Sequence, residues 1–537
     1  MGNLAPKCYR NAGMLGYLAL VLHAHLPFVR HPEHEQFLEE NWLFEAVLET
    51  YIPLLQQLEG WQRDGMKAPL TLTLTPTLCS MLLDPLLQQR CFDHLNRLVE
   101  LSEKEIHRTQ WEKPFHQLAL FYHDRFKTTR DFYVACGRDL VGSFRRFQDL
   151  GQLEIITSAA THALLPLLAS HPPSMRAQVR IACDHYRQCF GRPPRGIWLP
   201  ECAYVEGLEN ILAEAGLRWF ITDTHGLLHA QPRPRYGMFA PILTNNRLAA
   251  FGRDRDSAKQ VWSRDEGYPG DPWYRDFYRD VGFDLDFDYI KPYLPALAQR
   301  GFTGIKYYRI TGGSSGKDVY DRKQAVQRAD AHAAHFLAAR LEQVKQLNGI
   351  FDRPPLIVSA YDAELFGHWW YEGPEFLNYF LRKAFFDQKV FELITPEEFL
   401  CRHPVNQVAT PAASSWGEEG YWRVWLNDKT EWIYPHLHAA QERMTELARR
   451  FPQAEGLPLR ALKQAGRELL LGQASDWPFI LRTGTSPDYA RRRITDHLLR
   501  FTKIYEQLLA AELDESWLAE IESRDDIFPE IDYRYWA

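Results

Sequence analysis

The sequence lacks the cysteine patterns of secreted and zinc-binding domains. Its 537 residues include eight cysteines, and none of them belongs to a C-x-x-C pair or to a framework of regular spacing. This argues against a zinc ribbon and against a disulfide scaffold. Unpaired thiols are typical of a reducing compartment, so we expect the protein to be cytoplasmic.

Long apolar runs and long runs of one charge are also missing. No apolar segment approaches the roughly 18 residues of a membrane span, and the first fifteen residues lack the apolar core of a signal peptide. The chain has 62 basic and 69 acidic residues, a net charge of −7. We therefore expect neither nucleic acid nor a membrane as a partner, and a neutral or cationic substrate is favoured.

Aromatic residues, by contrast, are abundant and unevenly distributed. The chain has 16 Trp, 25 Tyr and 31 Phe, which make up 13% of its residues. Between residues 360 and 478 there are seven tryptophans: Trp369, Trp370, Trp416, Trp422, Trp425, Trp432 and Trp477. Such clustering indicates either a core or a ligand that offers flat apolar faces.

Short apolar runs bounded by turn residues recur and alternate with helical patterns. Buried parallel strands are predicted at seven runs: 16–23, 70–75, 153–158, 196–200, 219–224, 304–311 and 355–362. The clearest helical patterns between them lie at 174–190, 205–216 and 319–347. This alternation predicts an α/β fold, most economically a barrel of the TIM type.

Three segments depart from the alternation. Residues 80–150 contain helical patterns without a strand, which indicates a helical insertion. Residues 229–290 are rich in Pro, Gly, Asp and aromatics, as is typical of a lid or binding loop. After about residue 410 only helices are predicted, so we divide the chain into a barrel domain (1–410) and a C-terminal helical domain (411–537) that contributes to the cleft.

Two of the predicted strands end in carboxylates. In GIWLPECAY (196–204), Glu201 directly follows the strand, and in SAYDAELFGHWWYEG (359–373) Asp362 and Glu364 do so. Barrel enzymes place catalytic groups at the carboxyl ends of strands, and a carboxylate pair ringed by aromatics suits glycoside chemistry. The alternatives are a helix N-cap role for Glu201 and solvated acids at the strand end, the latter more for Glu364 than for Asp362.

Histidines follow two other strands. His23 and His25 are two residues apart, so both point to one face in extended geometry, and His162 follows a later strand. Binding of a polar substrate is the preferred interpretation of the first two, whereas His162 alone is more typical of a structural histidine. A metal-dependent carbohydrate deacetylase that uses His23, His25 and an acid is an alternative.

Several tryptophans have the setting of sugar platforms. Trp416 and Trp425 lie nine residues apart in SSWGEEGYWRVWLND, and Asp476 precedes Trp477 in SDWPF. An indole face next to hydrogen-bonding groups matches the apolar face and hydroxyl edge of a sugar ring. The alternative is an interdomain core, which is preferred for Trp422 and Trp432.

Taken in order, five segments resemble the motif regions of glycoside hydrolase family 57. They are HAHLP, GQLEIITSAATH, GIWLPECAY, SAYDAELFGHWW and SSWGEEGYW, and the resemblance extends from about residue 16 to residue 480. It implies a distorted (β/α)7 barrel with a helical insertion and a C-terminal all-helical domain. Within the family, the third and fifth motifs and the helical C-terminal region look most like those of branching enzymes that act on α-1,4-glucans.

The resemblance also implies site residues and an activity. It implies a retaining mechanism with Glu201 as nucleophile and Asp362 as general acid and base. Residues that match cleft-lining positions of the family are His23, His25, Trp273, Trp416, Trp425 and Asp476, with Trp262 as an alternative to Trp273. Tyr236 looks like the tyrosine at the tip of a lid that favours transfer over hydrolysis.

The implied substrates are α-1,4-glucan donor and acceptor chains, joined through new α-1,6 bonds by a monomer without metal or organic cofactor. Two further activities of the family, a 4-α-glucanotransferase and an α-amylase-type hydrolase, share these motifs and stay open as alternatives. The non-enzymatic alternative is a glucan-binding protein on an inactive barrel, against which both carboxylates argue.

Overall fold

The structure is a computed structural model, which describes residues 14–67, 69–263, 266–294, 299–311 and 316–537. The first thirteen residues, with Cys8, lie outside the described residues. The seven other cysteines are free thiols. Within the described part of the chain, no helix combines the length and the apolar character needed to cross a membrane.

Seven parallel strands form the barrel. Their order is β1-β2-β3-β4-β5-β7-β8: a parallel bridge between Thr157 and Ile197 joins β3 to β4, and the Asp254 N–H donates to the Val358 carbonyl (2.8 Å) where β7 meets β8. Two short strands lie outside this ring, β6 antiparallel to β7 and β9 beside the start of β1. The described strands are β1 (Gly16–Ala24), β2 (Leu70–Leu74), β3 (Leu153–Ile156), β4 (Gly196–Trp198), β5 (Trp219–Thr222), β6 (Ile242–Leu243), β7 (Ala249–Gly252), β8 (Leu356–Asp362) and β9 (Phe391–Leu393).

Helices cover the barrel and continue beyond it. In the barrel region and its insertion they are α1 (Asn41–Ala46), α2 (Ile52–Arg63), α3 (Pro76–Leu83), α4 (Pro85–Arg108), α5 (Lys113–Ala135), α6 (Leu140–Asp149), α7 (Pro172–Phe190), α8 (Leu208–Glu214), α9 (Thr224–Leu228), α10 (Arg255–Trp262), α11 (Val281–Asp284), α12 (Phe287–Ile290), α13 (Arg322–Ile350), α14 (Gly373–Phe386) and α15 (Pro396–Arg402). The C-terminal helices are α16 (Ile433–Arg450), α17 (Gly456–Gly472), α18 (Asp476–Thr483), α19 (Pro487–Ala510) and α20 (Glu515–Arg524). The predicted fold class, a distorted (β/α)7 barrel with added helices, is confirmed.

Six of the seven predicted strands are barrel strands, and the prediction for residues 304–311 is wrong. That segment makes only single bridges, Tyr308 to Val319 and Arg309 to Arg275, and it packs on the helical insertion, where Tyr122 donates to the Lys306 carbonyl (2.7 Å). The burial of residues 305–307 therefore reflects contact with α5 and not a place in the barrel. The missing strand is β7, whose sequence AAFG is too short and too small to stand out from the expected loop 229–290.

The C-terminal helices contact the carboxyl ends of the strands. Ala163 and Ala474 form an antiparallel bridge, and the Ser475 N–H donates to the His162 carbonyl (3.2 Å). This contact places the first turn of α18, with Ser475 and Asp476, beside the residues that follow β3 and β4. Catalytic groups of barrel proteins are built at this end of the strands.

Candidate active site

Two carboxylates lie at the carboxyl ends of barrel strands. Asp362 is the last residue of β8 and is paired in register with His23 of β1. Glu201 lies in the 3-10 turn Pro200–Cys202 just after β4. Glu201 (φ 61°) and Cys202 (φ 51°) are both in the left-handed region, where a non-glycine residue costs of order 1 to 3 kcal/mol. The surrounding contacts therefore hold the Glu201 backbone in a strained conformation.

Each oxygen of the Glu201 carboxylate accepts one hydrogen bond. Trp416 Nε1–H donates to Oε2 (2.6 Å) and the Ser475 hydroxyl donates to Oε1 (3.1 Å). The backbone N–H of Trp416 also donates to the backbone carbonyl of Glu201 (3.0 Å). Because a carboxylate accepts and a protonated acid must donate, these two donors favour the ionised form of Glu201 and fix its orientation.

Burial raises the pKa of both carboxyl groups. It raises the pKa of Glu201 to about 7, an effect that the Trp416 hydrogen bond opposes and the charge of Asp362 reinforces. It raises the pKa of Asp362 to about 6, against the positive charges of His25 and Arg253. The negative charge of Asp362 thus opposes ionisation of Glu201, as is expected for neighbouring acids.

Glu364 is a third buried acid and not a solvated one. Its Oε1 accepts from the Tyr51 hydroxyl (2.5 Å) and from the backbone N–H of His25 (3.1 Å). Burial raises the pKa of Glu364 to about 7, and the charge of Asp362 adds to the rise. Glu364 therefore holds the loop after β1 in place beside Asp362.

A chain of hydrogen bonds leads from His23 to Glu201. His23 Nε2 lies 3.0 Å from His162 Nε2, and His162 Nδ1 lies 2.9 Å from the Ser475 hydroxyl. Burial, together with repulsion from His25, lowers the pKa of His23 and of His162 well below the usual range, so both rings are neutral.

The acceptor-only carboxylate fixes the direction of this chain. Because Ser475 gives its only proton to Glu201, its oxygen accepts from His162 Nδ1–H, and the bare Nε2 of His162 accepts from His23 Nε2–H. The remaining His23 Nδ1 is buried and has no hydrogen-bond partner among the described residues. His23, His162 and Ser475 thus form a line of three donors that ends on Glu201.

His25 stands beside this chain and is charged. Its Nε2–H donates to Asp476 (3.0 Å) and its Nδ1–H to the Thr75 hydroxyl (3.1 Å). Burial alone would lower the pKa of His25, but the charge and hydrogen bond of Asp476 outweigh it and raise the pKa. The imidazolium accordingly offsets part of the negative charge of the three nearby acids.

Three side chains of the site carry possible metal ligands. His25, His162 and Asp476 bring ligand atoms within 4.8 Å of one another. However, the two imidazoles are stacked (centroids 3.8 Å, planes 19° apart), so their in-plane lone pairs run parallel and do not converge on one point. Their nitrogens are also engaged in the hydrogen bonds described above. This arrangement disfavours the deacetylase alternative.

A second buried group of possible ligands is an ion-pair network. Glu468, His497 and Asp525 also bring ligand atoms within 4.8 Å. The guanidinium of Arg500 lies 2.5 Å from Asp525, and Arg493 Nη2 donates to His497 Nε2 (3.1 Å). These cations already neutralise the acids, so the cluster joins α17 to α19 and to the segment after α20.

The tryptophans predicted to line the cleft occupy different environments. Trp416 is half-buried, with Arg253 5.2 Å from its ring centre and its indole N–H on Glu201. Trp425 is only 2% exposed and packs with Leu164 and Ala203 behind Trp416. Trp425 thus supports Trp416 from behind, whereas the sequence predicted that it lines the cleft wall. The cause is that an aromatic cluster in sequence does not show which rings face inwards.

Trp477 is a core residue as well. Its ring is 0% exposed, its Nε1–H donates to the Leu471 carbonyl (2.7 Å), and it packs against Tyr489. The prediction of a sugar platform at Trp477 is therefore wrong, whereas its neighbour Asp476 does face the site through His25. Position 370 is also core, because Trp370 packs on Phe376 with ring centroids 4.9 Å apart.

Trp422 and Trp432, expected to pack, are partly buried. Trp422 lies against Trp425 and Leu164, and Trp432 donates from Nε1 to the Lys429 carbonyl (3.1 Å).

Tyr236 lies far from the carboxylates. Its hydroxyl donates to Asp352 (2.6 Å), and its ring packs edge-on against Phe351. Both partners precede β8, whereas Asp362 ends it, and a strand of seven residues separates the two ends by roughly 20 Å. The loop around Tyr236 thus runs along the amino-terminal side of the barrel in this structure, and its role as a lid over the site stays a prediction.

Trp273 and Trp262 also lie outside the carboxylate cluster. Trp273 is 37% exposed and packs against the Arg309 guanidinium (4.7 Å to the ring centre), while Trp262 is 68% exposed at the end of α10. Neither ring contacts Glu201, Asp362 or their hydrogen-bond partners within the described ranges. Their predicted place in the cleft stays a prediction.

Three residues of the site were not predicted as functional residues. Ser475 has only its position before Asp476 as a signal, and His162 was interpreted as structural. Arg253 follows the unpredicted strand β7, donates to Asp223 (2.7 Å) and contributes positive charge near Asp362.

Comparison with known proteins adds independent information. A family profile described as Glycosyl hydrolase family 57 matches residues 19–412, and one described as 1,4-alpha-glucan branching enzyme, C-terminal, matches residues 436–536. The 1,4-alpha-glucan branching enzyme TK1436 of Thermococcus kodakarensis is 34% identical over 96% of this chain and 78% of its own length.

Two solved structures are similar over almost the whole chain. One is the novel alpha-amylase AmyC from Thermotoga maritima: it is 42% identical, with a TM-score of 0.92 over 97% of this chain and 99% of its own. The other is a GH57-type branching enzyme from Pyrococcus horikoshii, which is 33% identical with a TM-score of 0.87 over 97% of each chain.

Proposed function

The chain belongs to glycosyl hydrolase family 57, and from this membership and the geometry of the site we propose that it is a 1,4-α-glucan branching enzyme with a retaining mechanism. The observation that carries the mechanism is the pair of largely buried acids at the ends of β4 and β8, of which Glu201 holds a donor on each carboxylate oxygen. A retaining glycosidase needs one ionised and one protonated carboxyl group.

In the first step, Glu201 attacks C1 of a glucose unit. The bond between C1 and O4 of the leaving chain breaks, and Asp362 gives its proton to that oxygen. Trp416 and Ser475 keep the Glu201 carboxylate oriented towards C1, while the charge of His25 stabilises the ionised acids around it. A covalent glucosyl-enzyme results, with Asp362 now ionised.

In the second step, an acceptor resolves the intermediate. The 6-hydroxyl of a glucan chain attacks C1, its proton passes to Asp362, and the bond from C1 to Glu201 breaks. The product carries an α-1,6 branch. Exclusion of water depends on how completely the acceptor chain fills the cleft.

Donor and acceptor are α-1,4-glucan chains, which are neutral and need no basic groove. No step of this mechanism calls for a metal or an organic cofactor. We include in the proposal a monomer that acts in the cytoplasm, where the seven described free thiols would stay reduced.

Incubation with amylose tests the proposal directly. We expect α-1,6 anomeric protons to accumulate in the NMR spectrum faster than reducing ends. Reducing ends without an α-1,6 signal would identify a hydrolase, the activity named for the Thermotoga maritima structure. New α-1,4 chain lengths without branches would identify a 4-α-glucanotransferase. Either outcome would overturn branching.

Ser475→Ala is expected to shift the acidic limb of the pH profile of kcat/KM. Glu201 must be ionised to attack, so activity falls as the pH drops through the pKa of Glu201, which burial raises to about 7. The Ser475 hydroxyl stabilises the ionised form, and its loss moves that limb upward by roughly half a pH unit or more.

Ser475→Thr keeps the hydroxyl and is expected to keep the wild-type limb. A merely structural role of Ser475 would lower kcat or the melting temperature without moving the limb. An unchanged limb in Ser475→Ala would therefore contradict the directed chain from His23 to Glu201.

A further inference from the structure

A stacked aromatic pair beside the active site, of which one ring is exposed, has no part in the chemistry above. Trp369 is 58% exposed, and its indole stacks on Phe277 with ring centroids 5.0 Å and planes 19° apart. We infer that this pair, with His368 and Glu45, is a further binding site for a glucan chain; we name these four residues the Trp369 platform. The inference deepens the proposed function, on which it rests for the identity of the ligand.

The platform is continuous with the catalytic centre. The backbone N–H of Trp369 donates to the backbone carbonyl of Glu364 (3.1 Å). The carboxylate of Glu364 in turn accepts from the backbone N–H of His25 (3.1 Å). Glu364 follows Asp362 by two residues at the end of β8. A chain that passes Asp362 along this rim of the barrel therefore meets Trp369 next.

Buried charges hold the platform in one geometry. Lys306 is buried, its ammonium donates to the Phe277 carbonyl (2.6 Å), and it lies 4.4 Å from the centre of the Phe277 ring. His368 is held by Glu49 (2.9 Å), which in turn accepts from Arg275 (2.9 Å). Burying such charges is costly, and a rigid supporting shell of this kind is typical of a binding site.

The platform offers what a sugar ring needs. The exposed part of the indole can contact the apolar face of a glucose unit. At its edge stand His368, whose ring meets Trp369 edge-on at 5.2 Å, and Glu45, whose carboxylate lies 3.8 Å from His368 Nε2. Beneath them is a cavity of about 20 Å³, room for one water, lined in part by Glu45, His368 and Thr303. These groups can accept hydrogen bonds from the hydroxyls of a sugar and donate hydrogen bonds to them.

The position after β8 identifies which chain is bound. Asp362 protonates the oxygen of the leaving chain and later removes the proton of the acceptor, so both chains occupy the side of the cleft that Asp362 serves. The Trp369 platform comes seven residues after Asp362, and its backbone is hydrogen-bonded to Glu364 on the same rim of the barrel. It therefore holds the leaving chain and then the acceptor chain, beyond the glucose units at the reacting bond.

Trp369→Ala is expected to raise the KM for amylose about tenfold with kcat changed less than twofold. A tenfold weaker contact corresponds to about 1.4 kcal/mol, within the range for one stacked ring. The KM for α-maltosyl fluoride should stay at the wild-type value, because this donor has no glucan on the leaving-group side. Trp369→Phe, which keeps an aromatic face, should restore most of the affinity for amylose.

Trp111→Ala is the matched control, since Trp111 is 88% exposed in the turn between α4 and α5 and should leave both KM values unchanged. An unchanged KM for amylose in Trp369→Ala would overturn the inference, as would an equal rise for both substrates. The bonds made by the wild-type enzyme test the proposed function separately. If the wild-type enzyme only hydrolysed amylose, Trp369→Ala would still raise the KM for amylose, because the platform would bind the leaving chain.

Discussion

Glu201→Gln is expected to lower kcat on amylose by about 10,000-fold or more. The substitution preserves the volume of the side chain but replaces the charged carboxylate with an amide, whose oxygen is too weak a nucleophile to form the covalent bond to C1. Glutamine can still accept from Trp416 or Ser475 through its carbonyl oxygen, and the strained turn at residues 200–202 should therefore persist. Initial rates on amylose, read as both reducing ends and α-1,6 bonds, measure the effect.

Glu364→Gln is the matched control for this experiment. Glu364 is also buried, and burial raises its pKa to about 7 as it does for Glu201, but its carboxylate is bonded to Tyr51 and to the His25 backbone. Because it acts only by holding its neighbours, we expect a loss of roughly tenfold. Glu201→Gln should keep its affinity for amylose. Comparable losses in the two variants would contradict the role of Glu201 as nucleophile.

The positions of both carboxylates could be predicted from the sequence because their strands are easy to recognise. The runs before Glu201 and Asp362 are apolar on both faces, as buried parallel strands are, and parallel strands bring their carboxyl ends to one rim. Strand β7 could not be recognised, because AAFG is short and has no β-branched residue. Arg253 was missed with it.

The partners of Glu201 could not be predicted because they come from distant segments. Ser475 lies 274 residues after Glu201, and His162 and Ser475 are separated by 313 residues. Only the docking of the C-terminal helices on the barrel brings them together. The exposure of individual tryptophans could not be predicted either. Trp416 and Trp425 have the same local pattern, yet the packing turns Trp416 to Glu201 and buries Trp425.

Asp362→Asn is expected to lower kcat on amylose by about 1,000-fold while sparing the first step on an activated donor. Loss of a general acid costs about 10² to 10⁴ in rate when the leaving group is an alcohol. Fluoride leaves without protonation, so α-maltosyl fluoride should still form the glucosyl-enzyme rapidly. Resolution of that intermediate then becomes slow, because no base is present to take the proton of water or of the 6-hydroxyl.

The covalent intermediate should therefore accumulate in Asp362→Asn and be detectable by mass spectrometry of the intact protein. Azide, which attacks without losing a proton, should restore turnover of α-maltosyl fluoride in this variant and should leave Glu201→Gln inactive. The comparison separates the two acids, whose raised pKa values are similar and do not by themselves assign the roles. Azide rescue of a Glu201 variant with none in Asp362→Asn would reverse the assignment.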